Sequence, residues 1–164
     1  MDRSARAVPT ACATLHSELL NGPSADAYML NRGDVGLLGS LDKLSAADAS
    51  ARAGGASIAA HVDHLRYGLG LMNRWSAGEH PFETADWGAS WQRTTVSAPE
   101  WEALKTELAV EARRWLTAVD APREVSGADL TAIIGSIAHL AYHLGAIRQM
   151  HPATRGPAEQ DRSR

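Results

Sequence analysis

Two histidines stand four residues apart in the most apolar stretch of the chain, "AHLAYHLGAIRQM" at 138–150. On a helix that spacing stacks His139 and His143 on one face, from which two imidazoles can reach one metal ion. Helices of the HExxH type use the same spacing. Their intervening Glu, which serves as base, is absent here, where Leu140, Ala141 and Tyr142 lie between the histidines. HxxxH alone is common by chance, and a hydrogen-bonded structural pair is its plainer meaning.

A third ligand has to come from another helix, and "SIAAHVDHL" at 57–65 offers His61 and His64. At about 100° per residue, His61 lies roughly 60° from the centre of the stripe Ile58, Val62, Leu65, Leu69 and Met72; His64 lies roughly 120° away. His61 is therefore the expected inward ligand. His64 is expected behind the ligands or at the surface. Three histidines with an open fourth position describe a catalytic rather than a structural zinc site. Imidazole also suits nickel, copper and iron. A bound zinc lowers the pKa of a water to about 7, or takes a thiolate or a carbonyl.

The same wheel gives the last helix a main apolar stripe of Leu130, Ile134, Ile137, Leu140, Ala141 and Leu144. His139 and His143 fall on the other side, among Ala132, Gly135, Ser136 and Ala146. Those small residues leave room for a close neighbour or a cavity.

Four helical segments must position these side chains. The first is expected over residues 9–20, with Val8, Cys12, Leu15 and Leu19 on one face and Asn21-Gly22-Pro23 as its stop. A connector with short helical turns near 37–44 and 46–49 follows, ending at Gly54-Gly55. The second helix is expected over residues 57–76. The third starts at a capping box, Ser97 with Glu100, and carries Pro99 in its first turn. Its stripe is Trp101, Leu104, Leu108, Ala112, Trp115 and Val119, and Pro122 ends it. The fourth runs from Ser126 or Asp129 to Met150. With almost no strand signal, the expected class is all-α, a four-helix bundle. Residues 1–150 form its single domain and 151–164 a polar, ragged tail.

The connection at 78–97 is longer than the usual roughly 2–8 residues between bundle helices. Trp87 and Trp91 within it can roof the metal site or form a small satellite core, and Asp86 can cap a short helix there. His80 reads as a surface loop residue. Arg148 can bind an anionic substrate group or the carbonyls ending its own helix. Tyr142 and Asp63 neighbour the histidines in sequence but point elsewhere. Cys12 reads as a small core residue.

Bulk properties narrow the function. The chain has 164 residues, 45% hydrophobic and 21% charged, with a net charge of −3. That is an ordinary globular balance without the basic footprint of a nucleic-acid binder. One cysteine permits no intramolecular disulfide. The N-terminus lacks the apolar core of a signal peptide, so a cytoplasmic protein is expected. Residues 130–147 carry no Asp, Glu, Lys or Arg. They are borderline in length for a bilayer span, and a buried core helix is the expected reading.

Together, "SIAAHVDHLRYGL", "GEHPFETADWGASW" and "AHLAYHLGAIRQ" resemble the DinB-like superfamily, which includes YfiT-type proteins and bacillithiol- or mycothiol-dependent transferases. The resemblance covers residues 15–149. It implies a four-helix bundle, often a homodimer, holding a divalent metal, zinc or nickel, through His61, His139 and His143. Its activities imply a small-molecule substrate and either a metal-activated low-molecular-weight thiol, in transfer or isomerisation, or hydrolysis. The alternative is a non-enzymatic stress-related binding or dimerisation module with a structural or vestigial metal site. His64, Trp87, Trp91 and Arg148 are the expected pocket or supporting residues. No nucleic acid or membrane partner is expected.

Overall fold

The computed structural model describes residues 3–52, 54–121 and 125–158. Among these the chain is all helical, with no strand: α1 (Arg3–Asn21), α2 (Gly36–Leu41), α3 (Ala46–Ser50), α4 (Ile58–Ser76), α5 (Ala98–Asp120) and α6 (Gly127–Met150). Three short 3-10 turns lie at Pro81–Thr84, Ala89–Trp91 and Pro152–Thr154. The four long helices share one core. α5 and α6 each pack against both α1 and α4, so α1 and α4 lie between them. Short α2 packs on α1, and α3 on α4.

Local chemistry sets the helix starts. Ser97 with Glu100, and Ser126 with Asp129, form reciprocal capping boxes at α5 and α6. Each satisfies two otherwise orphaned N–H groups. The Ser57 side chain accepts from the Ala60 N–H at the start of α4. All six stripe residues of α5 are buried. Its two tryptophans bury their rings and place their N–H groups: Trp101 donates to the Leu44 carbonyl, and Trp115 reaches across to Ser136 Oγ on α6, both at 2.9 Å. Pro122 lies outside the described residues.

Three expectations change. α1 begins at Arg3 and carries Pro9 inside it; a proline near a free helix end gives up only one backbone bond there. Its inward line is Cys12, Ala13, His16, Leu19 and Leu20, while Val8 is exposed. The inward face of α6 is Ile133, Ile137, Leu140, His143, Leu144 and Ile147, with Ile134 turned out at 52% exposure. α6 is apolar nearly all round, so periodicity alone could not orient it. The C-terminal segment is not a loose tail from residue 151. Thr154 is fully buried, its hydroxyl donating to the His151 carbonyl at 2.6 Å. Residues 159–164 lie outside the described residues.

Buried acids tie the connector to the long helices. The Glu18 carboxylate accepts the N–H groups of Tyr28, Met29 and Leu30 at 2.7–3.1 Å. Asp34 accepts from the Gly36 N–H and from Arg148 Nη2, whose bonds to its two carboxylate oxygens are 2.7 and 2.8 Å. Gly22, at φ 87°, lies so close that a Cβ would strike the Asp34 carbonyl. Arg148, expected at a substrate or on its own helix end, instead binds this connector carboxylate.

Among the described residues, α6 is the one helix long and apolar enough to cross a membrane, with a mean hydropathy of 1.5, and one third of that window is buried. It has a core face and an exposed apolar face carrying Ile134 and Tyr142.

Candidate metal centre

Four imidazoles meet where α4 faces α6. His139 Nε2 lies 3.1 Å from His64 Nε2 and 2.9 Å from His143 Nε2. His61 approaches from the other side of the His143 ring, Nδ1 to Nδ1 at 2.8 Å. The group whose nitrogens converge within 4.8 Å of one another is His64, His139 and His143. His61 touches the cluster through the far nitrogen of His143. Of the two α4 histidines, the structure thus brings His64, and not the expected His61, into that group.

The reason is the connection at 78–97. The wheel measures angles from the helical core, but α4 is covered on a second face by the 3-10 turns. Trp91 stacks on His64 with ring centroids 4.3 Å apart and meets His61 edge-on at 5.1 Å. Trp87 lies 5.5 Å from His64. His64 therefore has only 7% exposure, and His143 1%. The segment is pinned by Tyr67 of α4, whose hydroxyl accepts the Asp86 N–H at 2.9 Å. The Asp86 carboxylate accepts the Ala89 N–H at the start of the second turn, whose N-cap position is Gly88. His80 is exposed, also as expected. Asp63 points away to Arg66 and Arg93.

Ser90 was not legible as a site residue. Its Oγ donates to the Trp87 carbonyl at 2.7 Å and lies 2.7 Å from His64 Nδ1. With the hydroxyl hydrogen on the Trp87 carbonyl, Nδ1 of His64 is the donor to Ser90 Oγ, and His64 Nε2 keeps its lone pair for the cluster. A serine between two tryptophans was the only available signal, and it has no chemical spacing of its own.

That tautomer constrains the cluster. One hydrogen on His139 Nε2 can bond well to only one of its two neighbours, so at least one N···N contact near 3 Å stays poorly paired. A cation among the three Nε2 atoms removes the conflict. Ligands 2.0–2.1 Å from a tetrahedral zinc stand about 3.4 Å apart, a few tenths of an ångström beyond these spacings. The outer nitrogens suit it too: His64 Nδ1–H has Ser90, and His143 Nδ1–H has the His61 Nδ1 lone pair. Metal-bound histidines almost always carry such partners.

Electrostatics keep the lone pairs free. Burial, then the neighbouring His139 and His61, lowers the His64 pKa to about 4. Burial, then His139, His61 and His64, lowers His143 to about 3. Burial also lowers His61 and His139. All four are neutral at pH 7, the form that binds a metal. Comparison with family models, curated proteins and solved structures finds no match to this chain.

Proposed function

We propose that the protein is a divalent-metal protein of the DinB-like kind, a four-helix bundle of α1, α4, α5 and α6. His64, His139 and His143 would hold one zinc or nickel ion, and His61 and Ser90 would orient them. The observation that carries this reading is the convergence of three imidazoles, with His139 Nε2 at 3.1 Å from His64 Nε2 and 2.9 Å from His143 Nε2. When bound, the ion supplies Lewis acidity to a small thiol or a water at its open position. The chain's own residues do the rest. His61 and Ser90 fix ring orientation, while Trp87 and Trp91 screen the ligands from solvent. Among the groups described here, none is placed as a separate general base, which agrees with nucleophile activation by the cation. The reaction class is transfer or isomerisation with a low-molecular-weight thiol, or hydrolysis.

Metal stoichiometry of untagged protein, saturated and dialysed, tests this. One ion per chain is expected for wild type and much less for His64→Ala or His139→Ala. A wild-type protein that keeps no metal refutes it.

A second reading, a self-associating module, is favoured by the uncharged outer face of α6, where Ile134 is 52% and Tyr142 69% exposed. Sedimentation at micromolar concentration decides it: a dimer supports it, and a monomer removes it.

A further inference from the structure

A cavity of about 200 Å³ opens between α4, α6 and the roof, and it shares the His139 ring with the nitrogen cluster. Its walls are Leu65, Leu69, Met72 and Leu140, with Trp87 across one side. No charged side chain lines it. Ser136 also borders it, but the Ser136 hydroxyl already donates to the Ile133 carbonyl and accepts from Trp115.

Two helical glycines, Gly68 and Gly135, border the space. A Cβ at Gly135 would meet nothing within 4 Å. One at Gly68 would sit 3.5 Å from Trp87 and 3.6 Å from His139, ordinary contact distances. Packing therefore demands neither glycine, and each makes its helix less stable than alanine would. Gly68 faces the Trp87 and His139 rings, and Gly135 borders the cavity where a longer side chain has open space.

Resting on the metal reading above, we infer that this cavity receives a neutral apolar arm of the substrate, about the size of a phenyl ring, whose reacting end lies beside His139. Size supports it, since an apolar cavity of roughly 150 Å³ takes a benzene molecule. Chemistry supports it, since a carboxylate or ammonium would lose its water there and gain no partner. Position supports it, since one end of the cavity is a proposed ligand and the other opens to solvent.

The test compares ethanethiol, benzyl mercaptan and 4-(mercaptomethyl)benzoate by calorimetry on the zinc-loaded full chain. Toluene binding to the metal-free protein is followed separately by NMR. Benzyl mercaptan is expected to bind at least about tenfold tighter than ethanethiol, and the benzoate no tighter than ethanethiol. Gly135→Leu, at an open helical position that tolerates it, should reduce the benzyl preference below about threefold and block toluene. Gly68→Ala should weaken both probes by a smaller factor. Equal binding of the two neutral thiols, tight binding of the benzoate, or indifference to Gly135→Leu overturns the inference. If the protein takes no zinc, the metal reading fails and toluene alone decides the cavity: binding blocked by Gly135→Leu sustains an apolar site, and no binding overturns it.

Discussion

The hydroxyl of Ser90 lies 2.7 Å from Nδ1 of His64 while donating its own hydrogen to the Trp87 carbonyl. On that arrangement a residue of the roof fixes which nitrogen of a helix histidine carries the proton, and the roof borders the candidate metal centre. Ser90→Ala should leave the fold intact and weaken metal affinity by about 10–100-fold, the usual cost of losing such a partner. Competition with a chelator measures it; unchanged affinity would mean that the contact only packs.

The two α4 histidines should separate in the same assay. His64→Ala is expected to abolish stoichiometric binding. His61→Ala should retain the ion at lower affinity, because His61 meets His143 on the nitrogen away from the cluster. The reverse order would restore His61 as the ligand.

His16, with no exposure, has no hydrogen-bond partner for either ring nitrogen among the described residues. Burial lowers its pKa from 6.5 to about 4. The folded chain keeps it neutral, whereas the unfolded chain protonates it below about pH 6.5. Its contribution is complete above that pH and declines as pH falls toward 4, by about 3 kcal/mol in all. His64 and His143 add to the same decline in the metal-free protein. Urea unfolding at pH 7.5, 6 and 5 should show falling stability. His16→Leu should be more stable by about 1–3 kcal/mol at neutral pH, with a shallower slope. A variant less stable than wild type would reveal a hidden partner for His16.

Asp34 and Arg148 form a largely buried pair, with side-chain exposures of 2% and 18%. Removing one partner strands the other charge, at a cost of about 3–5 kcal/mol. Asp34→Ala should lower the thermal midpoint sharply and loosen the 22–35 connector and the residues around Thr154, seen as faster amide exchange there. Metal affinity should change little. A midpoint unchanged in that variant would contradict the pairing.

Where periodicity was strong, the sequence revealed the fold. α5 has a capping box and one clean stripe, and both stand where spacing puts them. α6 has its capping box but no clean stripe, because a helix apolar on every side carries no direction in its pattern. His139 and His143 were legible as a pair from i, i+4 spacing alone. His64 was not, because its burial comes from a non-helical roof that a helical wheel cannot represent. Ser90 and His16 were missed for a related reason: each is defined by contacts distant in sequence.

The most direct test of the metal centre is a crystal structure of the metal-saturated protein with anomalous data at the absorption edge of the bound ion. One anomalous peak is predicted, 2.0–2.2 Å from the Nε2 atoms of His64, His139 and His143, with Ser90 still on His64 Nδ1. No peak at full saturation, or a peak ligated without His64, would contradict it.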